Sequence, residues 1–420
     1  MAVKNVFYAQ SGGPTSVINA TACGVIQAAQ KNAGIGTVYA GLNGILGALN
    51  EDLIDTSLES ADAIDGLKYT PASAFGSCRY KLKSIKEDET QYRRLIDVFK
   101  AHNIGYFFYN GGGDSQDTAY KVSQISKTLD YPLTCIGLPK TIDNDLAFTD
   151  NCPGFGSVAK YIATSIKEAS LDVASMCGTS TKIFVMEVMG RHAGWIAASA
   201  GLAQEFDGDA PHIILFPEIA FDKVAFLKKV KQAVTQHGYC VIAVSEGTRD
   251  KDGNFLQDSG ASDAFGHKQL GGIAPVICEM IKEEHGYKYH WAVSDYLQRA
   301  ARHIASQTDL DQAYKLGEKA IEFALAGENN IMLTIERLNT ADYQWQVGTA
   351  PLEKVANVEH TMPRDFITKD GFGITQKCRD YMQPLLEGEA YPPYKNGIPA
   401  YTRLKKQLIE KKLKSAFSAR

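Results

Sequence analysis

The sequence predicts an α/β protein of two lobes, each a mainly parallel sheet flanked by helices. Three observations lead there. Short apolar runs alternate with longer amphipathic segments as far as residue 245, and such β-α order builds parallel sheets with helices on both faces. A chain of 420 residues is too long for one small core and suggests two lobes around a cleft. Several apolar runs end in glycine-rich or charged turns, and open α/β sheets bind ligands outside the carboxyl ends of their strands.

A strand over 3–9 leads through a glycine turn into a helix over 16–31, where Val17, Ala20, Gly24, Val25 and Ala28 fall near helical spacing. Strand character returns over 37–41. A helix over 92–100, a strand over 104–109, a helix over 114–127 and a strand over 133–138 follow. The pattern repeats as helix 158–175, strand 182–189, helix 192–203, strand 212–216, helix 221–236 and strand 240–245. Trp195 and Trp291 are expected in the core, and His192 at a helix start. Residues 378–403, with Pro384, Pro392, Pro393 and Pro399, read as irregular surface chain. The stretch 403–420 reads as a Lys-rich amphipathic helix carrying Leu404, Leu408 and Leu413. A solvated terminal helix is the plain reading, and membrane or partner binding the other.

Composition narrows the function classes. Apolar residues at 45% and charged residues at 22% are ordinary for a globular protein. Net charge is −4, so no bulk basic excess points to nucleic acid. Eight cysteines include no CxxC pair, which argues against a zinc site of that spacing. They read as reduced packing thiols in a reducing compartment. The first ten residues are too short and too polar for a signal peptide, and no run reaches the ~18 apolar residues of a membrane span. A cytoplasmic location is expected.

Three turns at strand ends carry the chemistry. Gln10-Ser11-Gly12-Gly13-Pro14-Thr15 precedes a helix, and such a turn offers backbone N–H groups and a positive helix end to an anion, though a plain tight turn would look the same. Asn110-Gly111-Gly112-Gly113-Asp114-Ser115 removes side chains where something must approach the backbone closely, while Asp114 or Ser115 can also cap the next helix. Pro139-Lys140-Thr141-Ile142-Asp143-Asn144-Asp145 gathers a cation and two acids after a buried strand. Phosphoryl transfer needs a proton acceptor, positive charge on the transferred oxygens, and backbone donors. The three turns together offer all of these.

Together with Gly76-Ser77-Cys78-Arg79, Met186-Glu187-Val188-Met189-Gly190-Arg191-His192-Ala193-Gly194, Ser245-Glu246-Gly247 and Tyr296-Leu297-Gln298-Arg299, these blocks resemble the phosphofructokinase family, in its pyrophosphate-dependent branch. They stand in family order over roughly residues 3–340. The resemblance implies two Rossmann-like lobes: residues 1–146 for the donor, completed by part of 300–350, and residues 147–299 for the sugar phosphate, completed by part of 350–420. It implies reversible phosphorylation of fructose 6-phosphate at its 1-hydroxyl to fructose 1,6-bisphosphate, with diphosphate as donor and phosphate as product, near equilibrium and so serving glycolysis and gluconeogenesis alike.

The same resemblance implies roles. Asp143 resembles the general base, with Thr141 and Ile142 beside the substrate. Met189, Gly190 and Arg191 look like the segment holding the sugar phosphate, Glu246 the acceptor for sugar hydroxyls, and Tyr296, Leu297, Gln298 and Arg299 the block that binds the 6-phosphate. Gly13 resembles a backbone contact to the donor phosphate, and Arg79 a donor-phosphate cation. ATP-using relatives have Gly where this chain has Asp114 and Lys140. Asp114 would meet a nucleotide's α-phosphate and exclude ATP, while Lys140 would stabilise charge on the transferred phosphate.

Two departures qualify this. The branch often has Asp at the place of Gly113, a residue that helps hold Mg²⁺; Asp145, or Asp143 before catalysis, then becomes the expected carboxylate for that ion, through water where it does not bind directly. The arginines that relatives supply from a neighbouring subunit to the 6-phosphate correspond here to Lys182 and to His290, with Lys288 close by. A homodimer or homotetramer is expected. An ATP-dependent enzyme, a diphosphate-dependent kinase of another sugar phosphate such as sedoheptulose 7-phosphate, a non-catalytic sugar-phosphate sensor, and a distant lipid or NAD kinase relative are the rival readings.

Overall fold

In a computed structural model, residues 3–257, 272–356, 358–415 and 417 are described. Two sheets organise them. The larger has seven strands: β1 (Lys4–Gln10), β2 (Ile35–Gly41), β3 (Leu53–Asp55), β4 (Ile104–Gly111), β5 (Thr134–Pro139), β10 (Ile331–Arg337) and β11 (Trp345–Pro351), in spatial order β11-β10-β5-β4-β1-β2-β3. The smaller has four: β6 (Ile183–Val188), β7 (Ile213–Leu215), β8 (Cys240–Ser245) and β9 (Tyr289–Val293), in order β7-β8-β6-β9. Pairing is parallel except for β2 with β3 and β10 with β11. The expected α/β class with mainly parallel, helix-flanked sheets is what the chain adopts.

The central strands are buried on both faces, as the near-continuous apolar runs require: Phe7, Ala9, Phe107 and Tyr109 pack on one side of the large sheet, Val6, Tyr8 and Phe108 on the other. The chain then crosses to the smaller sheet, returns for β10 and β11, and crosses again. The 378–403 segment departs from expectation in its first part. Gln376–Met382 is helical and Gln383–Leu386 a 3₁₀ turn, with Cys378, Met382 and Leu385 inside the core of the second lobe. Their i, i+4, i+7 spacing is a helix face that the prolines obscured.

The expected C-terminal helix is a second correction. The described part of 403–420 is extended and runs beside β3. Asp55 N–H donates to Gln407 O at 2.9 Å and Ile409 N–H to Leu53 O at 2.9 Å. Buried Glu59 accepts from the N–H groups of Lys405 and Lys406, and buried Glu51 from those of Lys412 and Leu413. The open edge of β3 offered unpaired backbone groups, and satisfying them outweighed the helical spacing of the leucines. Residues 416 and 418–420 lie outside the described residues. Trp195 is buried as expected, whereas Trp291 is 46% exposed on the edge strand β9. The helix expected over 192–203 is only Trp195–Ser199 followed by a 3₁₀ turn, so His192 lies ahead of it.

Candidate active site

Strand register brings the three turns to one edge. Gln10 pairs with Asn110 and Gly111 with Pro139, so the turns after β1, β4 and β5 emerge side by side. Gly12 has φ +73°, a left-handed conformation suited to glycine. Its N–H donates to Cys78 O at 3.1 Å, and its carbonyl accepts from Ser77 Oγ at 2.8 Å. This clasp carries Arg79 to the turn. A Cβ on Gly13 would lie 2.7 Å from Arg299 Nη1 and 4.0 Å from Arg79 Nη2, so a side chain there would displace the Arg299 guanidinium.

Lys140 closes the same turn. It is 5% exposed, and its Nζ donates to Gly13 O at 2.7 Å. Burial pushes its ammonium down to about 8; Asp143 and Asp145 oppose that shift, while Arg299 and Arg79 add to it. The helix Gly113–Thr128 begins at the second turn, with Gly112 O accepting from Ser115 and Gln116. Asp114 sits in its first turn and pairs with Lys81 at 3.0 Å. A Cβ on Gly113 would meet nothing within 4 Å, so a side chain at that position would find open space.

The loop after β5 spans the two lobes. Thr141 bridges to Gly154, and Ile142 packs into the core of the second lobe. Asn144 takes a left-handed φ of +55° and is held there: its Nδ2 donates to Tyr381 Oη at 2.9 Å, and its Oδ1 accepts from Cys152 N–H at 2.9 Å. His360 N–H donates to Asp145 O at 2.7 Å, and His360 O accepts from Trp195 Nε1 at 3.0 Å. Asp143 and Asp145 thus stand on a locally strained turn clamped from both sides. Burial raises the Asp143 carboxyl, and Asp145 and Glu246 raise it further against Lys140 and Arg191. Burial likewise raises Asp145, with Glu359 adding to it. As whole residues Asp143 and Asp145 are half-buried.

The opposite face repeats the device. Val188 pairs with Ser245 and Glu187 with Val293, so the turns after β6, β8 and β9 meet. Gly190, at φ +131°, offers its carbonyl to Ser245 Oγ at 2.6 Å. Glu246 lies within 3.4 Å of Gly190 N–H and in the field of Arg191; burial raises its carboxyl. Met189 N–H donates to Gln298 Oε1 at 3.2 Å. Arg299 stacks 4.0 Å over the Tyr296 ring. Tyr296 and Leu297 are 61% and 67% exposed.

The sequence-derived residues therefore meet in one cleft, with two exceptions. Lys182 precedes β6, at the end away from the cleft, and its Nζ donates to Cys177 O at 2.7 Å. His290 lies within β9, opposite Phe184, and is exposed. Neither reaches its own chain's cleft. Sequence reading missed Lys81, Tyr381, Glu359 and His360. Lys81 is two residues past Arg79, a hint of proximity; the other three come from distant sequence without a local signal.

Among the described residues no group of three or more His, Cys, Asp and Glu side chains is arranged to hold a metal. The carboxylates of Asp143 and Asp145 instead fit a hard cation that takes most of its oxygens from phosphate and water.

Two lobes facing each other with glycine turns, a buried lysine and an acidic loop between them define a phosphotransferase cleft. The chain belongs to the phosphofructokinase family, whose model matches residues 5–324. It is 64% identical over 414 residues to a pyrophosphate--fructose 6-phosphate 1-phosphotransferase of Halomonas elongata, covering 98% of this chain and 99% of that one. Its counterpart in Methylococcus capsulatus is 60% identical over 419 residues, covering 100% of both. The crystal structure of a pyrophosphate-dependent phosphofructokinase from Nitrosospira multiformis superposes with TM-score 0.92 at 61% identity, covering 99% of this chain and 100% of that one.

Proposed function

We propose that the protein transfers a phosphoryl group reversibly between diphosphate and the 1-hydroxyl of fructose 6-phosphate, giving fructose 1,6-bisphosphate and phosphate. One observation carries this reading: buried Lys140 holds the Gly13 turn while Asp143, three residues on, faces Arg191 and Glu246 across the cleft. The relatives named above carry the same activity in their names.

We assign the donor to the Gly12, Gly111 and Pro139 turns of the first lobe (1–146 with part of 300–350). The sugar phosphate falls to the Met189, Glu246 and Tyr296 turns of the second (147–299 with part of 350–420). Asp143 takes the proton of the 1-hydroxyl; its raised affinity for protons suits it to that work. Lys140, Arg79 and Arg191 stabilise the negative charge on the oxygens of the transferred phosphoryl group and the leaving phosphate. Asp114, fixed by Lys81, places a carboxylate where a nucleotide's α-phosphate would lie. Asp145, or Asp143 only before the proton transfer, would hold Mg²⁺, which supplies charge neutralisation on the phosphate oxygens.

We also propose that a second copy covers the sugar face and brings Lys182 to it. Edge strand β9 leaves Trp291 and Val293 exposed, continuous with Tyr296 and Leu297. No described helix is long and apolar enough to cross a membrane, and eight cysteines remain as free thiols, which supports a cytoplasmic location. The test is an assay with fructose 6-phosphate and Mg²⁺, given either diphosphate or ATP, following fructose 1,6-bisphosphate. Product with diphosphate is expected. Product with ATP alone would sink the donor assignment, and no product with either would point to a sensor.

A further inference from the structure

We infer that the Tyr381 hydroxyl is a positioning group for Asp143: it holds the turn that aims the carboxylate, and so governs turnover without touching either substrate. This rests on the proposed reaction and adds to it a residue from far along the chain.

Asp143 is aimed by the backbone on either side of it. Its N–H donates to Thr141 Oγ1 at 3.1 Å. The next residue, Asn144, is 1% exposed and takes φ +55°. A residue other than glycine keeps that conformation where its surroundings impose it. Tyr381, on the helix Gln376–Met382, supplies the constraint. Its hydroxyl accepts from Asn144 Nδ2 at 2.9 Å and donates to Asp150 O at 2.5 Å. One hydroxyl thus uses its donor and an acceptor position to join the two ends of the 144–150 loop.

Tyr381 is itself fixed on several sides. Its ring packs against Trp195 and Phe366, with centroids 5.4 Å and 5.5 Å away. The Arg337 guanidinium lies 4.8 Å from the Tyr381 ring centroid. Arg337 Nη2 donates to Tyr381 O at 2.8 Å, and its Nε pairs with Asp150 Oδ2 at 3.1 Å. Trp195 in turn donates to His360 O, and His360 N–H to Asp145 O. The contacts on the two sides of the turn are therefore one closed brace, running Asn144, Tyr381, Trp195, His360, Asp145. Asp143 directly precedes it. A general base must lie within hydrogen-bond reach of the proton it takes. A displacement of about 1 Å at the reacting atoms can cost about a hundredfold in rate. Asp145 and Glu246 both oppose the charge on Asp143, so a loosened turn lets the carboxylate swing away from its working place.

Tyr381→Phe keeps the ring and its packing and loses both hydroxyl bonds. The experiment measures fructose 1,6-bisphosphate formation with diphosphate and Mg²⁺, per binding site counted by calorimetry with fructose 6-phosphate. Turnover is expected to fall about tenfold or more, with KM for both substrates within about twofold of the unaltered protein. The same change is then made in an Asp143→Asn background. There it should cost about twofold or less, because the group it aims is gone. A merely structural residue would carry its full loss into that background. Asn144→Gly, which accepts a left-handed φ and drops the bond, should repeat both results. Unchanged turnover in Tyr381→Phe overturns the inference. So does a full loss that persists in the Asp143→Asn background, or a loss that falls on KM instead of turnover. If the unaltered protein uses ATP and not diphosphate, the donor reading fails, and the same rates taken with ATP still decide the role of Tyr381. No product with either donor overturns both.

Discussion

The donor face and the sugar face of the cleft are both made from strands that end in register, yet they treat charge and solvent differently. On the donor face Lys140 is 5% exposed and bonded to a backbone carbonyl, and Arg79 and Arg299 crowd the same turn. On the sugar face Tyr296 and Leu297 stand 61% and 67% exposed beside an uncovered edge strand, and Lys182 is tied to a carbonyl at the far end of β6. In the proposed assignment, a compact anion would meet the closed face and the longer sugar phosphate the surface that is open on one side. The contrast teaches that one fold can bury the charges on one face of its cleft and leave the other face open to solvent.

The acidic loop lies between the two faces and should give the largest effect. Asp143→Asn keeps the shape and removes the proton acceptor. Turnover should fall about a thousandfold, the usual scale for a general base, with KM for both substrates little changed. A fall in affinity instead of turnover would move Asp143 from the junction to one face.

Lys140→Met tests the donor face alone. Loss of a buried charge aimed at the transferred group should lower turnover about a hundredfold and spare sugar binding. Its pH signature is signed. Burial holds the Lys140 ammonium down to about 8, so its charge is present below that value and lost above it. In the unaltered protein kcat/KM for diphosphate should therefore decline as pH rises through about 8. In Lys140→Met that decline should vanish. A decline that persists assigns it to another group.

Asp145→Ala touches the cation. Its carboxylate carries a burden from burial and from Glu359 that a metal would relieve. The Mg²⁺ concentration for half-maximal rate should rise about tenfold, as for other ligand-shell losses. An unmoved Mg²⁺ requirement removes Asp145 from the metal site and leaves Asp143 with the substrate phosphates.

Much of this was legible in the sequence because the relevant signals are local. The turns at Gly12, Gly111 and Lys140 follow apolar runs, and period and punctuation place them at strand ends. The clamp on the strained Asn144 was not legible, since Tyr381 and His360 arrive from more than two hundred residues away through packing. The C-terminal strap was misread for a related reason. Its leucines fit a helix locally, but the edge of β3 and buried Glu51 and Glu59 supply partners that only the folded lobe provides.

The smallest effect sharpens the donor face further. Lys81 and Asp114 form a half-exposed pair at 3.0 Å, and pairs of that kind contribute modestly. Lys81→Ala leaves the Asp114 carboxylate without its cation at the mouth of the diphosphate site. KM for diphosphate should rise about threefold at low salt, and the difference should fade as salt screens the exposed charge. ATP should remain excluded, because the carboxylate that opposes its α-phosphate is then less neutralised. If Lys81→Ala instead admits ATP, exclusion works through the position that Lys81 imposes on Asp114 and not through the charge of Asp114 itself.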